Sequence, residues 1–431
     1  MFIYNNINKM ISIALYYSSL EHSGGIERVV VEQTRIFTEK GYSCVLLTEI
    51  SPTFYINRIK CDCEILPINN EDRQNEWSRI IGERGVKYVI CNSAVDSHIL
   101  KDIDSIHAAG AKIINTIHFS FPSPMLFNEA WESFRINKVI GERCDAVATV
   151  SAVDALWWRA LGCNAFHVQN PFTIYKHTGH QSHETNHNLV WVGRCAPQKQ
   201  PLEAVKIMSE VIKAIPDAKL YMVGIEGKDR LSEFIAQKRL EKNIIVVPPT
   251  NEIGQYYEQA AIHLLTSITE SFCLVIAEAK SYHIPTVMYD IPFLELIADG
   301  NGVEIVSQRD YKAAANKIVD LLNNPLLLKQ KGMAAYSTLN SFNDNEVVAC
   351  WETIFDSLES GNPYIANMHN PYETIVREVY SAWMNHCNAN QWKIDFFDNI
   401  ERATGWSANG IIYGFMDKII KPLKKIKRKI K

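Results

Sequence analysis

The sequence lacks the cysteine patterns that hold metal ions or disulfide frameworks. Its 431 residues include 10 cysteines, but they are scattered and no two form a Cys-x-x-Cys pair. The one close pair, Cys61 and Cys63, has no accompanying cluster of His and Cys residues. A zinc site is therefore not expected, and free thiols in a reducing cytosol fit this usage better.

Long apolar segments are absent as well. No run of about 18 apolar residues occurs, which argues against a transmembrane helix. The N-terminal stretch has one lysine and a short apolar run that is broken by Ser and Tyr. We therefore expect no signal peptide and a cytoplasmic protein.

The charge is small overall but unevenly distributed. Residues 418–431 carry eight basic and no acidic side chains, which leaves the rest of the chain at −12 against a total of −4. An acidic body argues against nucleic-acid binding. The tail at 414–431 mixes these cations with Ile, Leu and Phe. It is either a surface helix on an anionic membrane, which we favour, or a solvated, disordered segment.

Short apolar runs alternate with helical patterns in two blocks, which predicts two α/β domains with parallel sheets. The polar, histidine-rich stretch at 173–188 separates the blocks as a linker. We place one α/β domain at residues 10–175 and a second at 186–342. Residues 343–413 are expected to form a crossover helix, with an amphipathic pattern at 344–358, and a helical extension.

A glycine pair, Gly24-Gly25, follows the first predicted strand and opens a helix. Bare glycines allow a phosphate or sugar to approach the backbone, and a helix N-terminus attracts anions. A simple tight turn is the alternative. The full G-x-G-x-x-G fingerprint is absent, which counts against a nicotinamide-dependent enzyme.

Two cations, Arg194 and Lys199, follow the first strand of the second block. At the carboxyl end of a parallel strand they are placed to meet a diphosphate, Arg bidentately and Lys as a point charge. On spacing alone, two solvated loop cations are the simpler interpretation.

Two glutamates flank a predicted helix start in the segment from Glu270 to Glu278. We expect the helix to begin near Ser271 or Phe272, which places Glu278 about two turns in. A carboxylate can accept from both hydroxyls of a ribose, and the same helix N-terminus can hold phosphates. The alternative is a capping carboxylate and an ordinary solvated glutamate.

Taken in order along residues 11–342, these motifs resemble the GT-B glycosyltransferases, specifically the large retaining family 4 (glycosyl transferases group 1). The matching segments are Gly24-Gly25-Ile26-Glu27, Ile117-His118, Val150-Ser151, Asn170-Pro171, Val192-Gly193-Arg194 with Lys199, Met222-Val223-Gly224, and the stretch from Glu270 to Glu278-Ala279.

The resemblance implies two facing Rossmann-like domains with the sugar donor in the cleft. It places Arg194 and Lys199 at the donor diphosphate, Glu278 at the ribose, and Glu270 and His118 beside the sugar. Catalytic roles are implied for His118, Glu270, Arg194 and Lys199. The implied donor-binding residues are Gly24, Gly25, Arg194, Lys199, Gly224, Glu270, Ser271, Phe272, Cys273, Leu274 and Glu278.

Two stretches depart from the family pattern, and the second of them obscures the identity of the donor sugar. Ser271 and Cys273 stand where the family usually has glycines, and residues 290–295 are bulky where a glycine-rich loop is usual. No metal or other cofactor is expected. The Asp102-Ile103-Asp104 sequence has the spacing of a metal-binding motif, but it lies in a helical stretch where both carboxylates should be solvated.

The implied function is retaining transfer of a sugar from a UDP- or GDP-linked donor to a glycan or lipid-linked acceptor. Bacterial surface polysaccharide biosynthesis, at the inner face of the plasma membrane, is the expected setting. Two alternatives stay open: a nucleotide-sugar epimerase of the same architecture, and a non-catalytic protein that binds sugar nucleotides.

Overall fold

The computed structural model describes residues 11–22, 24–92, 98–126, 129–174, 186–226, 229–291, 294–297 and 300–362, with single positions at 378 and 381. The chain divides into two units, residues 1–366 and 367–431, and every element below belongs to the first. The predicted extension beyond residue 362 and the basic tail lie outside the described residues.

The first half of the chain forms a seven-stranded, fully parallel sheet in the order β3-β2-β1-β4-β5-β6-β7. The strand order reverses between β1 and β4, where a crevice opens in sheets of this kind. The strands are β1 Ser12–Tyr16, β2 Ser43–Thr48, β3 Asp62–Ile65, β4 Val86–Cys91, β5 Lys112–Ile117, β6 Ala146–Thr149 and β7 Ala165–His167. The helices between them are α1 Gly25–Glu39, α2 Asn70–Arg84, α3 Ile99–Ala108, α4 Ser123–Leu126, α5 Glu129–Arg143 and α6 Ala152–Ala160.

The second half repeats this plan with a six-stranded parallel sheet in the order β10-β9-β8-β11-β12-β13. Its strands are β8 Asn188–Val192, β9 Lys219–Val223, β10 Ile244–Val247, β11 Ile262–Leu265, β12 Thr286–Tyr289 and β13 Val303–Val306. Its helices are α7 Pro201–Ala214, α8 Asp229–Lys238, α9 Gly254–Glu258, α10 Leu274–Ser281, α11 Tyr311–Leu322 and α12 Pro325–Ser337. The predicted pair of parallel α/β sheets is confirmed.

The last described helix, α13 Asp344–Ser360, returns from the second sheet and packs on the first. Phe355 stacks on Tyr88 of β4 with ring centroids 4.2 Å apart. At the start of the helix, Asp344 pairs with Arg35 of α1 at 2.9 Å. The amphipathic pattern at 344–358 predicted this helix, and the structure confirms it.

The expectation that both aspartates of Asp102-Ile103-Asp104 are solvated is wrong for the first. The Asp102 side chain is 2% exposed and pairs with Arg73 of α2, whose own side chain is 1% exposed, at 2.7 Å. Glu49 binds the same guanidinium at 2.8 Å. Asp102 lies on the buried face of α3 together with Ile99, Ile103 and Ile106. The carboxylate can be buried there because it pairs with Arg73.

Candidate functional site

A cavity of about 650 Å³ opens at the carboxyl ends of both sheets and is lined by residues of both halves. Its walls come from the loops after β1, β5, β7, β8, β9, β10 and β11. Loops at the carboxyl ends of parallel strands are where such sheets bind ligands. The predicted site residues that line it are Gly24, Gly25, His118, Arg194, Lys199, Gly224, Glu270, Ser271, Phe272, Cys273 and Leu274. Glu278 alone of the predicted set is not in the wall.

The glycine pair forms the cavity wall at the start of α1. The helix begins at Gly25, and Gly24 caps it without a side-chain hydrogen bond. A Cβ at Gly25 would lie 3.9 Å from the Leu274 Cδ1 atom, an ordinary contact distance. Protein packing therefore does not require glycine at position 25. The absence of a side chain at this position leaves cavity space beside the helix N-terminus. Such a terminus presents unpaired N–H groups to an anion.

Gly224 has a stricter requirement. Its φ is +93°, and a Cβ would lie 3.1 Å from the Gly193 carbonyl oxygen. Only glycine adopts this left-handed backbone without strain. The absence of a side chain at Gly224 lets the loop after β9 approach the loop after β8 at Gly193, the residue before Arg194.

The two predicted cations differ in their surroundings. The Lys199 ammonium lies 2.5 Å from a carboxylate oxygen of Glu270. Burial lowers the pKa of Lys199, but the Glu270 carboxylate more than offsets this, and the pKa is raised above its usual value. Lys199 therefore stays protonated and is paired with Glu270. Arg194 is exposed, and among the described residues no carboxylate pairs with it.

The helix that carries Glu278 begins later than predicted. Helix α10 begins at Leu274, because Cys273 has a φ of +68° and such a left-handed residue cannot continue a helix. Glu278 is thus the fifth helical residue, little more than one turn in, and not two. Burial raises the pKa of the Cys273 thiol well above its usual value, which keeps that wall of the cavity uncharged.

Glu278 lies behind the cavity wall, with its side chain 1% exposed. Tyr257 donates to its Oε2 atom at 2.8 Å. Its Oε1 atom pairs with Arg28 of α1, which does line the cavity. Arg28 was not among the predicted site residues. A signal for it was present in the sequence: a cation in the first turn of a helix is unfavourable because it opposes the helix dipole, so its presence there indicates a negatively charged partner.

His118 is held as a neutral imidazole. Its Nε2 atom lies 3.0 Å from Oδ1 of Asn92, and the amide nitrogen of Asn92 donates to Gln33. Since Oδ1 is the accepting end of Asn92, His118 carries its proton on Nε2. Burial lowers the pKa of His118 to about 4. At neutral pH, Nδ1 is therefore unprotonated.

This shift predicts a pH dependence of stability. The unfolded chain protonates His118 near pH 6.5, whereas the native state resists protonation down to about pH 4. Stability is fully present above pH 6.5 and falls as the pH drops through this window. In His118→Gln, the free energy of unfolding should fall less steeply with decreasing pH, by at most about 1.4 kcal/mol per pH unit. Urea unfolding at pH 7, 6 and 5 measures it, and an unchanged slope would contradict the burial of a neutral imidazole.

The two halves also contact each other directly, both in the cavity wall and beyond it. Ser271 donates to the His118 carbonyl at 2.7 Å, and the Ser120 and Thr269 hydroxyls lie 2.7 Å apart. Glu295 accepts from the Ala152 amide at the start of α6 at 2.6 Å. In the unusual 290–295 loop, positions 292 and 293 lie outside the described residues, and Glu295 faces the first half of the chain.

Comparison with known proteins finds similarity to glycosyltransferases. Residues 176–338 match the family model described as Glycosyl transferases group 1. An uncharacterized glycosyltransferase of Haemophilus influenzae is 20% identical over 366 residues, which cover 80% of this chain and 100% of that protein. The poly(ribitol-phosphate) alpha-N-acetylglucosaminyltransferase of Staphylococcus aureus is 25% identical over 203 residues, 45% of this chain and 41% of its own length. The amylovoran biosynthesis glycosyltransferase AmsD of Erwinia amylovora is 28% identical over 169 residues, 38% of this chain and 47% of its own length.

Solved structures give the fold. S. aureus TarM, in complex with fondaparinux, alpha-GlcNAc-glycerol and UDP, superposes with a TM-score of 0.68 at 14% identity, covering 81% of this chain and 100% of that one. Anabaena HepE, in complex with UDP and glucose, gives 0.68 at 16% identity with the same coverage. The chain has the GT-B fold. No helix within the described residues has the length and apolarity to span a bilayer.

Proposed function

We propose that this chain, a GT-B protein with a glycosyl transferases group 1 domain, transfers a sugar from a nucleotide donor to a glycan or lipid-linked acceptor. The donor is UDP- or GDP-linked, and its anomeric configuration is retained. Residues 186–342 bind the donor and residues 10–175 present the acceptor. The observation that carries the proposal is Arg194, a cation without a carboxylate partner among the described residues, which lines the shared cavity together with Leu274 at the α10 N-terminus.

The chemistry follows from where charge develops. As the bond from the sugar to the diphosphate breaks, negative charge grows on the departing phosphate. Fixed cations and helix N-terminal amides aimed at that charge lower the barrier, since they need no reorganisation during the reaction. Arg194, Lys199 and the amides at Leu274 supply them. Glu270 holds Lys199 in place and lies beside the sugar, where neutral His118 also borders the cavity.

The setting that we propose is bacterial surface polysaccharide biosynthesis. Two relatives support it by what they are named for: one acts on poly(ribitol-phosphate), and the other belongs to amylovoran biosynthesis. Both matches cover less than half of the relative's length, so the acceptor of this chain is part of the proposal.

A donor screen tests the function. One UDP- or GDP-sugar should raise the melting temperature, because a ligand at 100 times its dissociation constant adds about 2.7 kcal/mol of stability. Anomeric NMR of the product should show retention, and transfer should survive EDTA because the chemistry needs no metal. Conversion of the donor to an isomer without any acceptor would identify an epimerase. Stabilisation without turnover across acceptors would identify a binding protein.

The basic tail at 414–431 is proposed to hold the enzyme on the inner face of the plasma membrane. Each basic residue near an anionic surface contributes about 1 kcal/mol, and the eight cations act with Ile, Leu and Phe. Truncation after residue 413 should release the protein from vesicles that contain anionic lipid in a flotation assay. Full-length protein on purely zwitterionic vesicles is the control. Undiminished binding of the truncated protein would show that the anchor lies elsewhere.

A further inference from the structure

The buried carboxylate of Glu278 is closed off from the cavity by a cation from the other half of the chain. Glu278 is 1% exposed, whereas Arg28, with 22% of its side chain exposed, lines the cavity. The Arg28 guanidinium binds Oε1 of Glu278, and Tyr257 occupies Oε2. A ribose that approaches from the cavity therefore meets Arg28 before it meets Glu278.

We infer that Arg28 is a donor-binding residue: when the donor enters, its guanidinium leaves Glu278 and binds the donor diphosphate. The inference rests on the proposed function and on the role that the family resemblance implies for Glu278, which is to accept hydrogen bonds from the ribose hydroxyls. Without donor, Arg28 neutralises a carboxylate that burial would otherwise make costly. With donor, the ribose hydroxyls satisfy Glu278 and release the guanidinium.

The released Arg28 has a second partner within the same cavity. It lies in the first turn of α1, whose N-terminal Gly24-Gly25 forms the adjacent wall, and Arg194 lines the same space. A guanidinium binds phosphate oxygens bidentately, and Arg28 sits on a flexible side chain that can turn from a carboxylate to a phosphate. Ribose and diphosphate thus both favour the arrangement in which Arg28 has left Glu278.

Two ligands that favour one arrangement strengthen each other's binding, and the coupling is reciprocal. The test uses fragments of the donor on the full-length protein: uridine and guanosine, each titrated by calorimetry with and without saturating inorganic pyrophosphate. For the nucleoside that binds, pyrophosphate should tighten binding by at least about fivefold. Independence or mutual weakening would overturn the inference, and this measurement needs no variant.

Arg28→Gln identifies the residue responsible. The glutamine amide can still donate a hydrogen bond to Glu278, but it carries no charge with which to bind a diphosphate. The variant should bind nucleoside more tightly than the wild type, bind UDP or GDP more weakly, and lose the coupling. A purely structural role would weaken both ligands alike. Arg35→Gln is the matched control: Arg35 is on the same helix with 23% of its side chain exposed, but it pairs with Asp344. This control should keep the coupling.

The outcomes separate the two proposals. If the wild type binds neither UDP nor GDP, the proposed function fails. If the wild type binds UDP or GDP but shows no coupling between the matching nucleoside and pyrophosphate, only the role of Arg28 is rejected. The same holds if the coupling persists in Arg28→Gln.

Discussion

Arg194→Ala should lower the turnover of sugar transfer by about 10²–10³-fold, the effect of removing one preorganised donor to a developing anion. Arg194 is exposed and has no carboxylate partner among the described residues, so the substitution breaks no ion pair there. The melting temperature should therefore stay unchanged. Lys199→Ala is a poorer test, because it leaves Glu270 without its cation.

The measurement is single-turnover transfer with the donor found in the screen. Lys213→Ala is the control, since Lys213 is a cation of the same domain with 66% of its side chain exposed. It should retain full activity. Near-normal turnover in Arg194→Ala would remove Arg194 from the reaction and with it the main support for the catalytic assignment.

Arg73→Met should have the largest effect on stability, lowering the free energy of unfolding by about 3–5 kcal/mol. The guanidinium is 1% exposed and binds both Asp102 and Glu49. Methionine fills similar space but removes the charge that offsets the burial of Asp102. Urea unfolding followed by tryptophan fluorescence measures the loss, with the donor absent.

Arg143→Met is the matched control for this experiment. Arg143 pairs with Asp104, two residues beyond Asp102 on the same helix, but the Asp104 side chain is 80% exposed. Surface pairs contribute about 0–1 kcal/mol, so this variant should stay close to wild type. Equal losses in both variants would mean that burial does not set the strength of these pairs.

The alternation of strands and helices predicted the two parallel sheets, and the family resemblance implied the donor cleft between them; one physical reason explains why the predicted site residues meet. Parallel strands end at one edge of a sheet, so residues that follow several strands meet there. Arg194, Gly224 and Glu270 each follow a strand of the second sheet, and the structure brings them into one wall. Their chemical roles remain predictions.

What the sequence did not reveal depends on contacts between distant segments or on unusual backbone. Arg28 and Glu278 are far apart in the chain, and nothing local to either names its partner. Asp102 has the spacing of a buried helix position, but a carboxylate there is not expected to be buried unless its partner Arg73 is known. The late start of α10 depends on a left-handed cysteine, a conformation that the side chain of cysteine does not favour.

The return of α13 to the first sheet sets an order for folding during synthesis. Domains generally fold as the chain emerges, N-terminal part first. Here Trp351, Ile354 and Phe355 complete the core that begins with Ile13 and Leu15. The core of the first half therefore stays partly uncovered during synthesis and is completed only after the whole second sheet has been translated.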